Sequence, residues 1–391
     1  MAISFTINHQ SRQTAARTGR IKTHHGCFDT PAFMPVATAA AMKLLTPEQV
    51  RSTGSQIILN NAYHLMLRPG VDVLQQMGGT HEFMRWDGPV LTDSGGFQAF
   101  SMSDINSVDD DGVRFKSFVD GSMVSMTPER SMEVQHAIGA DIIMAFDDCP
   151  PSRQDHPEGY LDRVRLANDR TARWLQRCID AHVHSDHQAL FGIVQGGTEP
   201  DERARSAEQV TQMDLPGYAI GGVAVGESNE LMHEIIRLTA PMLPEQKPRY
   251  LMGVGYERDL LQAVQAGVDM FDCVLPTRNG RKAYAFTSRG PLRLRNASFK
   301  LDPGPIEAEC DCQVCAGGFS RSYLRHLFMA DELLGSALVS LHNIRHFQRL
   351  MLDIRGAIMD DSWSLLGQRW PVLGLEPAVS GPGEGLDDDS A

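Results

Sequence analysis

The chain reads as an α/β protein, a (β/α)8 TIM barrel carrying a small insert before its last helix. Three observations predict this: eight strand-sized apolar runs, helical signals between them, and a break in the alternation after the eighth run. A doubly wound open sheet shares the alternation and is the rival arrangement. No GxGxxG or phosphate-binding loop follows any run, which weakens the nucleotide-binding versions of that rival.

The elements follow in order. Residues 1–30 read as an N-terminal β extension, irregular or antiparallel, with Gly19 and Gly26 as turn residues. The barrel is expected over residues 31–373. Its strands are Ala32–Ala37, Gln56–Asn60, Pro89–Asp93, Ala140–Asp147, Ala189–Gln195, Tyr218–Val225, Arg249–Val254 and Val268–Val274. Each is rich in Val, Ile, Leu or Phe, as a strand buried on both faces requires. Thr46-Pro47-Glu48-Gln49 supplies an N-cap, a first-turn proline and a capping-box glutamine. Thr127-Pro128 opens another helix. Leu161, Val164, Ala167, Thr171, Trp174 and Cys178 recur at three-to-four spacing and make one amphipathic face. Glu202–Met213, Leu231–Leu243 and Arg258–Ala266 supply further helices, and Val113–Met126 reads as a hairpin turned at Asp120-Gly121. Residues 277–342 form the insert, after which Ile344, Phe347, Met351, Ile354 and Ile358 resume a helix. Residues 374–391 are Gly/Pro-rich and acidic, the composition of a disordered tail.

A 42% apolar and 22% charged composition is that of a globular protein. No apolar run approaches a membrane span, and the opening MAISFTINHQ lacks the layout of a secretory signal, so the expected location is the cytoplasm. The net charge of −13 excludes a protein that binds nucleic acid over its whole surface. A local basic face survives, because Arg278, Arg281, Lys282, Arg289, Arg293 and Arg295 follow one another with no acid between them. Such a run suits a polyanion.

In a parallel barrel the C-terminal strand ends converge on one mouth. Here those ends read Asp93, Asp147-Asp148, Gln195, Gly221-Gly222, Met252-Gly253 and Asp272. One such carboxylate alone is an N-cap or an ion-pair partner; several together can do glycosyl chemistry, one as nucleophile and another as acid/base. Gly95-Gly96 and Gly196-Gly197 let a flat ligand approach the backbone, and Phe97 and Met252 can sandwich it. Cys310-x-Cys312-x-x-Cys315 brings three thiolates together, with His326, His342 or His346 as candidates for a fourth ligand, and His342 heading the resumed helix. A closed Cys3His set is a structural zinc site, which makes the insert a zinc-binding subdomain. His156-Pro157-Glu158 matches half of a zinc-deaminase signature, but Asp311 stands where that signature wants proline, so His156 is read as a loop residue.

DSGGFQ (Asp93–Gln98), MAFDDC (Met144–Cys149), GGVAVGE (Gly221–Glu227), LMGVG (Leu251–Gly255) and MFDCVLPTRNGR (Met270–Arg281) resemble, in order, the motifs of bacterial tRNA-guanine transglycosylases. The cysteine cluster and His342-Asn343 belong to the same pattern. The resemblance implies an enzyme of queuosine biosynthesis that exchanges the guanine at the first anticodon position of tRNA for the precursor preQ1. It implies Asp272 as nucleophile, forming a covalent ribosyl intermediate, and Asp93 as general acid/base. Asp147, Gln195 and the Gly222 backbone would bind the edge of the base, with Phe97 and Met252 on its faces. Cys149 and Val225 match the bacterial pattern, whereas relatives that take the bulkier queuine resemble it less here. Glu227 would meet an aminomethyl cation through a nearby backbone group. Arg278, Arg281 and Lys282 would contact RNA, Cys310, Cys312, Cys315 and His342 would hold one structural Zn2+, and a homodimer is implied. Two residues depart from the pattern: Val223 stands where Leu is usual, and Ala62 where Thr is. Such losses tune affinity by ~1–3 kcal/mol without changing a reaction.

Two other classes share parts of this set. A retaining glycosidase would share the carboxylates but would not need the basic run. An RNA-binding subunit without activity would tend to lose Asp272.

Overall fold

The computed structural model describes residues 2–96, 106–153 and 157–375. The expectations for Phe97, for His156 and for most of the acidic tail therefore fall outside the described residues.

Three N-terminal strands, β1 (Ser4–Gln10), β2 (Arg17–Thr23) and β3 (Gly26–Thr30), pair antiparallel. Gly26 turns the β2–β3 hairpin with a φ of +127°, as expected. Gly19 does not turn the chain. It lies inside β2 opposite Ile7 and Thr30, where a Cβ would press on Phe5 and the Thr6 carbonyl. Its lack of a side chain serves close packing.

Eight strands then form one parallel sheet: β4 (Ala32–Pro35), β5 (Ile58–Asn60), β6 (Val90–Thr92), β10 (Ile142–Met144), β11 (Ala189–Val194), β12 (Gly217–Ile220), β13 (Arg249–Leu251) and β14 (Met270–Cys273). Between β6 and β10 lies an antiparallel three-stranded sheet of β7 (Asn106–Val108), β8 (Val113–Lys116) and β9 (Met123–Met126), with the β8–β9 hairpin turned at Asp120-Gly121 as expected. Each strand of the eight pairs with its neighbour in chain order, and β14 pairs with β4. A parallel bridge between Val36 and Leu59 joins β4 to β5 and closes the ring. A doubly wound sheet would reverse its strand order part-way, so this is the barrel.

Strand residues divide by the period of two. Met34, Leu91, Met144, Phe191, Ala219, Tyr250 and Met270 fill the inside, while Phe33, Ile58, Ile143, Leu190, Tyr218, Leu251 and Phe271 face the helices. Ile3, Ile21 and Phe28 join the inner cluster, so the N-terminal sheet caps the end opposite the strand C-termini. Several strands stop earlier than the apolar runs imply. β12 ends at Ile220, because Gly222 takes a φ of +62° and Ala224 one of +60°, which no strand accommodates.

The helices follow their caps. Thr46 accepts from the Gln49 N–H at 3.2 Å and the Gln49 side chain accepts from the Thr46 N–H at 2.9 Å, a complete capping box. On Tyr160–Ala181 the expected face is buried except for Leu161, which lies one position off the stripe and is exposed. Pro276 opens the short helix Leu275–Gly280, which carries Arg278. The last long helix, Leu333–Asp360, starts inside the insert, about two and a half turns ahead of His342, so His342 is interior to it.

Candidate active site

At the strand C-termini lies a cavity of about 260 Å³. Asp93, Asp147, Cys149, Gln195, Gly222, Val223, Met252 and Asp272 all line it. Glu227 and the cations do not, and stand behind or beside it.

Asp272 shares the inward parity of Met270 on β14, which aims its carboxylate into the mouth. Its Oδ1 accepts from the Tyr250 hydroxyl at 2.6 Å and from the Gly253 N–H at 2.8 Å. Oδ2 has no hydrogen-bond partner among the described residues. Burial raises this carboxyl above its ordinary pKa, and the two donors hold it back. One oxygen is thus fixed and the other is not. Tyr250 was missed in the sequence, since a tyrosine inside an apolar run reads as core.

Asp93 follows β6. Its Oδ1 accepts from the Ala62 N–H at 2.7 Å, and its Oδ2 accepts from the Asn61 side-chain amide. Position 62 therefore serves through its backbone, and the departure from Thr leaves this contact intact.

Asp147 accepts from Gln195 Nε2 at 2.6 Å and from the Ser94 hydroxyl at 3.2 Å. Burial, aided by the neighbouring charge of Asp148, pushes it up to about 6 despite those donors. Asp148 turns the other way and pairs with Arg163 and Arg170, each at 2.5 Å. It is an ion-pair partner. Gln195 Oε1 is buried without a protein partner among the described residues. With the Asp147 carboxylate, it leaves acceptor capacity for a ligand that offers adjacent N–H groups.

Burial, with the charge of Asp147 beside it, drives the Cys149 thiol up to about 12, which makes it a neutral wall group. Val223 is buried and Met252 partly so. Glu227 accepts from the N–H groups of Ala224 and, at 3.1 Å, Val225. It thus braces the loop that forms one wall. Arg203, also unforeseen, lies fully buried behind that loop.

The cysteine cluster resolves its fourth member. Cys310, Cys312 and Cys315 sulfurs lie 3.6, 3.5 and 3.4 Å from His342 Nδ1. All four residues are buried and can hold a metal ion together. His342 Nε2 faces the Phe286 carbonyl at 2.8 Å, which puts the ring proton there and leaves Nδ1 as the ligand. His346 instead meets Glu257 at 2.9 Å, and His326 packs beside Tyr323.

The six cations from Arg278 to Arg295 form no ion pair among the described residues. Arg281 carries a buried Nη1 with no hydrogen-bond partner among the described residues, and burial together with Arg278 lowers its pKa.

Residues 11–370 match the family model described as queuine tRNA-ribosyltransferase. The chain belongs to that family. It is 50% identical over 360 residues to the queuine tRNA-ribosyltransferase of Acetivibrio thermocellus, covering 92% of this chain and 95% of that one. The protein of the same description from Symbiobacterium thermophilum is 51% identical, covering 92% and 88%. That from Synechococcus elongatus is 50% identical, covering 92% of each. Family membership thus extends from the N-terminal sheet through the cavity and the cysteine cluster.

Proposed function

We propose that this protein is a tRNA-guanine transglycosylase, a pentosyltransferase of queuosine biosynthesis that exchanges guanine at the first anticodon position for preQ1. The observation that carries the reading is the half-held Asp272 carboxylate in one cavity with the Asp93 carboxylate and the Asp147–Gln195 pair.

A base must leave its stack to reach such a cavity. Asp147 and Gln195 Oε1 would accept from the N–H groups of the purine edge, and the Gly222 N–H would donate to its oxo group. Asp272 Oδ2 attacks C1′ of the ribose as the C1′–N9 bond breaks, and the electron pair passes to the purine. Asp93, acting as acid/base, delivers a proton to N9. The incoming base reverses the sequence: Asp93 takes its ring proton and the nitrogen displaces Asp272 from C1′. Two displacements at one carbon retain configuration. Val223, Cys149 and Met252 would wall the base, and Glu227 would fix the backbone group that meets an aminomethyl cation.

Arg278, Arg281 and Lys282 would bind the RNA backbone beside the extruded base. Their segment, residues 277–342, would act as an insert set against the barrel. Three thiolates and an imidazole with its other nitrogen anchored suit Zn2+ in a closed structural site, which supplies folding energy. Among the described residues no helix is long and apolar enough to cross a membrane, and a cytoplasmic homodimer fits a tRNA-modifying enzyme.

The test is incorporation of radiolabelled guanine into unmodified tRNA bearing G at the first anticodon position, with preQ1 and queuine as competitors. Label that enters without a nucleotide cofactor and is blocked far better by preQ1 supports the reading. No label from folded, metal-replete protein would overturn it.

A further inference from the structure

Arg203 has no solvent exposure. Its Nε donates to the Gly197 carbonyl at 2.7 Å, Nη1 to those of Gly221 at 2.7 Å and Val194 at 3.2 Å, and Nη2 to that of Gly222 at 2.9 Å. No carboxylate pairs with it among the described residues. Burial lowers the guanidinium to about 10, so it remains charged at neutrality. A buried cation without a counter-ion is costly, and carbonyls alone repay it only where the geometry is closely fitted. On the helix Pro200–Thr211 it occupies the buried stripe with Ser206, Ala207 and Val210, where apolar residues would be expected. Ser206, one turn on, accepts from the Gln195 N–H at 2.9 Å. One helix face therefore grips the ends of β11 and β12 together.

The consequence lies in the peptide groups. In a trans peptide the C=O of one residue and the N–H of the next point in opposite directions. The Gly221 and Gly222 carbonyls both face Arg203, so the N–H groups of Gly222 and Val223 face away from it. Gly221, Gly222 and Val223 line the cavity and Arg203 does not. The two N–H groups are thus turned to the cavity side, and among the described residues neither donates to a protein acceptor. Gly222 reaches this arrangement with a φ of +62°, and a Cβ there would collide with Gln195.

We infer that Arg203 is a positioning residue for base recognition: it holds the Gly222 and Val223 N–H groups toward the 6-oxo group of the bound purine. Its charge, behind those dipoles, also favours the electron density that the purine gains when C1′–N9 breaks, since that density spreads from N9 to the 6-oxo oxygen. This rests on the cavity being the base site.

The test compares Arg203→Met and Arg203→Lys with wild type, using isothermal titration of guanine and of 2-aminopurine, which lacks the 6-oxo group. Thermal melting and tRNA affinity establish that each variant is folded. In R203M, guanine binding is expected to fall on the order of tenfold more than 2-aminopurine binding. R203K keeps the charge but cannot bridge the carbonyls in one plane, so it should lie between, and it carries the test if R203M does not fold. Equal weakening of both bases would reduce Arg203 to a packing role and overturn the inference. Wild type that binds 2-aminopurine as tightly as guanine would overturn it also, leaving the cavity as a purine site. Wild type that binds neither base would remove the base-site reading and the inference together.

Discussion

The Tyr250 hydroxyl donates to Asp272 Oδ1 at 2.6 Å from the neighbouring strand, and so helps decide which oxygen of that carboxylate is held and which is left without a partner among the described residues. Tyr250 itself is buried and far less acidic than a free phenol, first through burial and then through the Asp272 charge, so it stays a donor. Removing the hydroxyl with Y250F should slow covalent adduct formation ~10–100-fold in single turnover while tRNA affinity holds. The donor also stabilises the ionised carboxylate. Its loss should raise the Asp272 pKa further and move the acid limb of the pH–rate profile upward. An unchanged limb would mean that the hydroxyl only fills space.

Asp272→Ala should abolish covalent RNA adducts on denaturing gels and leave tRNA binding within about twofold, because the cations proposed to bind RNA lie outside the cavity. Adducts that persist would remove Asp272 as nucleophile.

Base affinity should depend on pH through Asp147. Its pKa in the fold is raised to about 6, so the carboxylate that accepts purine N–H groups exists above that value and is lost below it. Guanine affinity is therefore expected to be flat from pH 7 to 8. It should fall ~tenfold per unit once pH drops well below 6. D147N should weaken binding at pH 7.5 and flatten the profile, which competition titrations across the range would reveal.

Loss of the metal should act on stability. C310S or H342A would leave the remaining ligands buried and unsatisfied, and melting should drop by on the order of 10 °C. Metal analysis of wild type should find about one zinc per chain. Full stability in a metal-free variant would show that the four residues are merely packed.

R278A and R281A should each weaken tRNA binding and reduce the slope of log affinity against log salt by about one. A slope unchanged from wild type would move the RNA-binding face elsewhere.

Much of this was legible because it is periodic or local. The alternation of runs gave strand number and barrel class, the Thr46 and Thr127 caps gave helix starts, and the residues at strand ends converged because parallel strands all end on one side. Motif spacing likewise brought Cys310, Cys312 and Cys315 together. What was illegible depended on contacts between distant segments. Spacing alone left His326, His342 and His346 open; the resemblance named His342, and the contacts that set it apart from His346, the Phe286 carbonyl and Glu257, come from distant segments. Gly19 looked like a turn because its Cβ clash comes from the neighbouring strand.

The chain by itself therefore determined the barrel, the polar residues at its mouth, the thiolate cluster and the family, since these rest on residue type, spacing and order. Only the tertiary structure decided what Tyr250 and Arg203 touch. A tyrosine in an apolar strand and an arginine on a helix have ordinary sequence readings. Hydrogen bonds across strands and loops far apart in the chain turned one toward the Asp272 carboxylate and the other toward the Gly221 and Gly222 carbonyls.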